Sequence, residues 1–334
     1  MAGDYVTLTK HGWKTWISDP LWESLSFLAW LKEGQRLEVS GQDMKEARYN
    51  NNDGEDLVYG YGDDTPVVAG QVNEATTATF QWKAARMDTY VTERQMLTTK
   101  NMSEVGVDFV KAKLERARLH FKRYFNKRLL GLSGMTTDAS EDFQGILDAL
   151  THDLAYGGVT RATTATNPEF QGGSLAGTYA DQATTYPASI GTVRDMQDVC
   201  NEFEPEPGEL MLLVGRDPFR ELQGQLEGSV SYSGDKKGTL YYGKPTFFID
   251  DVRVVMDYHL AEKYATGASR WALMLNRKTW NFRLHPMRNF DVSPFKMQDE
   301  QIGGIPVAMS TIKIFGNCWC SHPGGNIWVP EFGS

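Results

Sequence analysis

The sequence is short of the features that mark several common protein classes. Three cysteines in 334 residues cannot build a disulfide framework. No run approaches about 18 uninterrupted apolar residues, so no membrane-spanning helix is expected. Positive charge is in deficit. Lys and Arg number 34 against 43 Asp and Glu, a formal net charge of −9, which argues against a protein whose main task is gripping bare nucleic acid. Met1–Tyr5 show no charged-then-apolar layout, so no signal peptide is expected. The six histidines have no HExxH spacing, and no serine sits in a G-x-S-x-G elbow. What is left is a soluble chain of a reducing compartment, long enough for about two domains. Its hydrophobic fraction of 41% suffices for a real core.

What the chain does have is unevenly placed. Trp13, Trp16, Trp22, Phe27 and Trp30 crowd five large aromatics into the first 34 residues. Anchors of this kind pack on the protein's own core or on a neighbour, and the neighbour is the expectation here. From Tyr49 to Trp82 there is no Lys or Arg, yet there are six acids: Asp53, Glu55, Asp56, Asp63, Asp64 and Glu74. Turn chemistry surrounds them in Asn50-Asn-Asn-Asp-Gly and Tyr59-Gly-Tyr61-Gly-Asp-Asp. The run Thr77–Trp82 and Val91 read as strand. With too few apolar residues to fold alone, the segment is expected to be a long acidic two-stranded excursion that lies on something else.

After Ser103 the apolar residues Val107, Val110, Leu114, Ala117, Phe121 and Tyr124 recur at spacings of three and four. The periodicity predicts a helix to about Leu130, stopped by Gly131. Its polar face is basic: Lys111, Lys113, Arg116, Arg118, Lys122, Arg123, Lys127 and Arg128, against Glu104, Asp108 and Glu115. A solvated face balanced by acids elsewhere is the plain alternative to a binding role. Residues 157–191, rich in Gly, Ala and Thr, read as a long connection. An α/β pattern follows: a helix over Ile190–Phe203, a buried strand Leu210–Val214, and a helix opened by Asp217 as N-cap with Pro218 in its first turn. Phe247–Ile249, Trp271–Leu275, Ile312–Phe315 and Ile327–Val329 read as further strands.

Candidate chemistry is sparse. Cys318, Cys320 and His322 alternate, which on a strand puts three soft ligands on one face. A structural zinc site wants a fourth ligand, and none is close in sequence. Asp250-Asp251 and Asp63-Asp64 could hold a cation or do acid–base work. Adjacent acids on a strand face opposite ways, however, and both pairs adjoin turn signals. No catalytic, metal or cofactor residues are assigned.

The order of elements, an aromatic arm, an acidic ribbon, one long helix, an α/β unit and returning strands, resembles the HK97-fold major capsid proteins of tailed bacteriophages. The stretches that carry the likeness are Tyr59-Gly-Tyr-Gly-Asp-Asp with Ala78-Thr-Phe-Gln-Trp-Lys, the helix from about Ser103 to Leu130, and Gly145-Ile-Leu-Asp-Ala-Leu with Tyr156-Gly-Gly-Val-Thr-Arg. Gly243-Lys-Pro-Thr-Phe-Phe-Ile-Asp-Asp with Leu273-Met-Leu-Asn completes them. The resemblance implies an α+β fold with an N-arm at 1–37, an extended β-hairpin E-loop at 38–98 and a P-domain at 99–188 plus 279–334. The spine helix would span about 103–130 and an A-domain 189–278. No long charged helical segment precedes the arm, so a fused scaffold is not expected. Lys45 lies in the ribbon, but nothing identifies a crosslinking partner.

The same resemblance implies a non-enzymatic subunit that self-assembles, as hexamers and pentamers, into an icosahedral shell around double-stranded DNA. It would be built in the host cytoplasm and reside in the virion, with scaffolding, portal and decoration proteins as partners and no membrane. Expected subunit contacts are Trp13, Trp16, Trp22, Trp30, Asp53, Glu55, Asp56, Tyr59, Tyr61, Asp63 and Asp64. The basic face of Lys111, Lys113, Arg116, Arg118, Lys122 and Arg123 would meet a neighbour's acids or non-specifically held DNA. An encapsulin-like compartment is the same-fold alternative. A β-rich hydrolase using Asp250, Asp251 or the Cys318–His322 strand is the alternative of another class.

Overall fold

The computed structural model describes residues 26–39, 44–48, 76–92, 103–132, 141–151, 155–159, 161, 170, 172, 173, 175, 185–201, 205, 206, 208–227, 246–260, 267–289, 291–293, 296–298 and 307–333. In chain order the elements are α1 (Ser26–Glu33), β1 (Leu37–Val39), β2 (Met44–Arg48), β3 (Thr76–Phe80), β4 (Lys83–Thr92) and α2 (Ser103–Leu129). There follow α3 (Ile146–Leu150), β5 (Thr185–Tyr186), α4 (Ile190–Asn201), β6 (Leu210–Val214), α5 (Arg216–Glu227), β7 (Thr246–Ile249) and β8 (Val252–Met256). The chain returns through β9 (Ala272–Asn276), β10 (Trp280–Leu284), β11 (Asp291–Val292), β12 (Lys296–Gln298), β13 (Val307–Cys320), β14 (Ile327–Val329) and β15 (Glu331–Phe332).

The periodic helix is present as 27-residue α2, about 40 Å long at 1.5 Å per residue. Its buried line runs Ala117, Phe121, Phe125 and Leu129, with Tyr124 only partly covered. Gly131 ends it with φ +72, in the left-handed region. A side chain there would also strike Leu147, whose Cγ lies 2.6 Å from the position of an added Cβ. In the last turns the Tyr124 hydroxyl donates to Asp142 Oδ1 at 3.1 Å, and Arg128 pairs with the same carboxylate at 2.5 Å.

Two main sheets organise the described residues. In the first, the 14-residue β13 pairs with β4 along one edge and with β12, β11 and β10 along the other. The short β1 adds parallel to β10. The second sheet has the order β14–β9–β6–β8–β7. Its centre, β6, is the apolar run Leu210–Val214, buried at every position, as a strand covered on both faces requires. Val193, Met196 and Cys200 of α4 and Phe219 and Leu222 of α5 pack in the core on this sheet. Helix α5 starts at Arg216, so Asp217 lies inside the first turn instead of capping it. The preceding Gly215 is pressed against the Ser269 carbonyl, 1.9 Å from where a Cβ would sit, so no capping side chain fits there. The chain's last strands, β14 and β15, cross to this side, β14 pairing with β9 and β15 with β5.

The two sheets meet at the turn Asn276–Trp280, where β9 hands over to β10. Asn326 closes this junction. Its Oδ1 accepts from the Asn276 amide (2.8 Å) and the Trp280 indole (2.7 Å), and its Nδ2 donates to Thr279 Oγ1 (2.9 Å) and the His322 carbonyl (3.1 Å). The bonds to Asn276, Trp280 and Thr279 are buried, where an orphaned donor carries its full desolvation cost. Asn326→Leu strands two buried N–H groups, and chemical denaturation should show a loss of about 2–4 kcal/mol. A loss under about 0.5 kcal/mol would mean water replaces the amide without cost.

Burial, then the neighbouring Asp142, raises the Tyr124 phenol to about 12 from its ordinary 10.0. The folded chain therefore keeps this proton where the unfolded chain has lost it. Stability from this group is complete below pH 10 and drains away between pH 10 and about 12. Denaturation midpoints at pH 9, 10 and 11 should fall across the last interval, and less steeply in Tyr124→Phe.

Candidate assembly elements

Three features of this chain are expected to serve assembly: the hairpin, the basic helix and the arm. The stem is the antiparallel pair β2–β3, registered from Met44 opposite Phe80 to Arg48 opposite Thr76. It is part of the excursion expected at 38–98, whose other long described strand, β4, pairs instead with β13 in the first sheet. The residues between its strands, with Asp53, Glu55, Asp56, Tyr59, Tyr61, Asp63 and Asp64, lie outside the described residues.

The stem's root is fixed to the first sheet by aromatic packing and one amide. Phe80 lies 5.0 Å from Tyr156 and 6.0 Å from Trp319, centroid to centroid. Trp82 stacks on Phe315 at 5.3 Å with an interplanar angle of 11°. Gly157 holds φ +61 and faces Phe80 Cζ, 2.9 Å from an added Cβ, while its carbonyl accepts from the Thr79 amide at 2.9 Å. Between the two rings, Asn317 Nδ2 donates to the Gln81 carbonyl (3.0 Å) and Gln144 Oε1 (2.8 Å). Its Oδ1 accepts from the amides of Gln144 (3.2 Å) and Cys318 (2.9 Å). One buried side chain thus ties the hairpin root, the α3 approach and β13 together. Arg161 braces α3 from its other end, donating to the Ala149 and Asp148 carbonyls with its guanidinium over the Tyr156 ring.

Part of the basic face is turned outward. Arg116, Arg123 and Lys127 are exposed on α2, beside Glu115, His120 and a Leu119 that is 55% exposed. Lys113 is half-buried, its Nζ 5.7 Å from the centroid of Tyr90 on β4, itself 55% exposed. The side chains of Lys111, Arg118 and Lys122 lie outside the described residues.

The expectation for the arm needs one correction. Trp30 is 0% exposed within its own subunit, between the Arg277 guanidinium (5.9 Å) and Phe27, which meets Trp280 edge-on at 5.3 Å. A side chain with no free surface cannot anchor a neighbour. The composition that suggested an anchor instead belongs to α1, whose Ser26–Leu31 are all buried, as for a helix enclosed on every side. Trp13, Trp16 and Trp22 lie outside the described residues.

The residues weighed for catalysis are not assembled. Asp250 and Asp251 are exposed on the β7–β8 turn of the second sheet, Asp250 paired with Arg194 at 2.9 Å. Cys318 and Cys320 are buried in β13 of the first, while His322 lies past the strand's end and is exposed. Burial, reinforced by Cys320 and Asp148, pushes the Cys318 thiol well up, away from the thiolate a ligand or nucleophile needs. Ser26, His259 and Asp257 do come together. Both partners bond the carboxylate, Ser26 Oγ at 3.1 Å and His259 Nδ1 at 2.9 Å, so no imidazole faces the hydroxyl to activate it. Among the described residues, no three His, Cys, Asp or Glu side chains group to hold a metal, and no helix is long and apolar enough to cross a membrane.

Sequence reasoning missed Asn317, Asn326 and Arg161. Their partners lie up to 236 positions away, and no local pattern marks such a hub.

No protein-family model and no curated protein sequence matches the chain. Solved structures do. The capsid asymmetric unit of cyanophage A-1(L) is similar over 85% of this chain and 86% of that one, at a TM-score of 0.54 and 13% identity. The holo-SrpI encapsulin complex from Synechococcus elongatus PCC 7942 is similar over 90% of this chain and 87% of that one, at 0.51 and 9%. Both are shell subunits, and the chain has their α+β architecture, the HK97-like capsid fold. At these identities the structural likeness shows the fold alone.

The fold's hairpin depends on its root. Phe80→Ala removes a side chain packed against Tyr156 and Trp319, and should cost about 3–5 kcal/mol in global stability. Hydrogen exchange should show β3 losing protection before β13. Equal loss in both would mean the ring supports the whole sheet and not the hairpin.

Proposed function

We propose that the chain is a structural shell subunit, the major capsid protein of a tailed bacteriophage. Copies assemble as hexamers and pentamers into an icosahedral shell around double-stranded DNA. The observation that carries this is the fold match over 85–90% of the chain to two shell subunits. In this reading the arm (1–37), E-loop (38–98), P-domain (99–188 and 279–334) and A-domain (189–278) divide the work. The body supplies a rigid tile, and the arm and hairpin reach to other tiles. Trp13, Trp16 and Trp22 anchor the arm on a neighbour.

Charge supports one contact in particular. The acids Asp53, Glu55, Asp56, Asp63 and Asp64 flank Leu57–Tyr61. Arg116, Arg123 and Lys127 flank an exposed Leu119 on α2. An acidic segment with an apolar centre thus meets a basic stripe with an apolar centre on the next copy. Single rim pairs are worth about 0.2–1 kcal/mol each, but a row of them sets register and rejects wrong neighbours. The same stripe turned inward would hold DNA through phosphate contacts without base readout. The E-loop contact is preferred because a densely basic inner wall would hinder DNA release. Scaffolding, portal and decoration proteins complete the partners, with assembly in the host cytoplasm.

The encapsulin structure among the matches keeps a second reading open, a compartment whose content is protein. Electron microscopy of the purified chain, with nuclease and protease digestion of the contents, separates the two. Particles hundreds of Å across are expected, with nucleic acid inside for a capsid, whereas a monomer or small oligomer under all conditions overturns both. Arg116→Glu with Arg123→Glu should lower shell yield about tenfold or more, like charges costing several kcal/mol across a contact. Normal empty shells that lose DNA would assign the stripe to lining. Normal shells with normal packaging would leave it a solvated face.

A further inference from the structure

Helix α1 stands where the two sheets meet. Its Phe27, Trp30 and Leu31 share one buried cluster with Phe282 of β10 on the first sheet and with Leu213 and Val255 on the second. Two polar links then tie it to a single strand. At its start, Ser26 Oγ donates to Asp257 Oδ2 at 3.1 Å. At its end, Glu33 Oε2 pairs with Arg253 at 3.0 Å. Arg253 lies near the start of β8 and Asp257 just past its end. The spans agree: seven helical steps cover about 10 Å and four strand steps about 13 Å. Helix and strand therefore run in opposite directions, fastened at both ends.

Asp257 is not a loose acceptor. It is 2% exposed, receives the His259 amide and Nδ1 at 2.9 Å each, and its own amide donates to the Val214 carbonyl at the end of β6 (3.1 Å). Arg253, at the other end, lies over the Phe248 ring of β7 at 5.7 Å. A displacement of α1 is thus passed to β6, β7 and β8 by bonded groups, in a core too close-packed to absorb it.

We propose that α1 is a latch between the two sheets, and that engagement of residues 1–25 by a neighbouring copy is read by the second sheet through Asp257 and Arg253. Ser26 is the first residue of the helix and, among the described residues, its first polar link to the second sheet, so a pull on the chain before α1 is carried to that bond. The latch itself needs only the geometry above, whereas its response to a neighbour rests on the shell reading. Removing the Ser26 hydroxyl leaves a buried carboxylate one donor short, so the effect must appear at the Asp257 turn as well as in the helix.

Hydrogen exchange of the full-length chain, unassembled and in shells, tests both parts. In the unassembled chain, Ser26→Ala should speed exchange by about 5–30-fold in 26–33 and also in 252–260, leaving the β13–β4 ladder unchanged. Acceleration confined to 26–33, or none, overturns the latch. If the ladder loosens too, Glu33→Gln, at a half-exposed position, decides by the same criterion. In wild-type shells, protection of 252–260 should rise about fivefold or more over the unassembled chain, and the rise should vanish in Ser26→Ala. No rise in wild-type shells overturns the response to the neighbour. Failure of the wild-type chain to form shells at all overturns the shell reading instead, with the latch already decided on the unassembled chain.

Discussion

Strand β13 is the constraint on which the rest depends. Its backbone groups must find partners along both edges. They do so against β4 over ten residues on one side and β12, β11 and β10 in succession on the other. A slip of one residue would break all four ladders and invert every side chain between the two faces. The faces differ sharply in use. Ile312, Ile314, Cys318 and Cys320 alternate into the core with Gly316 between them, where a Cβ would sit 2.5 Å from the Arg283 carbonyl. Phe315, Asn317 and Trp319 take the other face and receive, in order, Trp82, Gln81 and Phe80. Register in one strand therefore also sets where the hairpin root docks.

The parts legible in the sequence are those governed by local rules. The period of α2, its stop at Gly131 and the apolar run of β6 follow from spacing and backbone chemistry within a few residues. Where the structure departs from local rules, a distant group is the cause. Asp217 fails to cap α5 because Ser269 presses on the residue before it. Trp30 is not an anchor because Arg277, some 250 positions later, lies over its ring while Phe27 packs beside it. Asn317 and Asn326 carry no local signal, being ordinary asparagines until remote donors and acceptors converge on them. The order of elements was more legible than any site, because order survives in patterning whereas sites depend on contacts across the chain.

Charge is distributed in the same divided way. The chain is net acidic, yet Arg116, Arg123 and Lys127 share the outer face of one helix, and 49–82 contain no cation at all. Within the subunit some of the basic residues are already engaged, Arg128 with Asp142 and Lys113 with the Tyr90 ring. Arg116, Arg123 and Lys127 are exposed on the side of α2 away from Ala117, Phe121, Phe125 and Leu129. A solvated face needs only mixed charge. Separating the signs onto two segments of one chain is what the proposed contact between copies would use.

In the proposed shell, rigidity at the roots would make modest contacts sufficient. Exposed ion pairs and single anchors are each weak, and a contact made by a loosely attached segment would lose much of its free energy to ordering that segment. Here the hairpin stem enters the body through Phe80 and the Asn317 amide, and the chain from the arm enters through α1, whose Ser26–Leu31 are buried. Each extension therefore starts from a fixed point and direction. Linked contacts from one rigid body raise one another's effective concentration, so that binding through one extension presents the other to its partner. In a closed assembly every copy both gives and receives such contacts. In the proposed shell, the strength of the whole would depend on how firmly each root is held, and the polar groups at the described roots, Asn317 and Ser26, are buried and hydrogen-bonded.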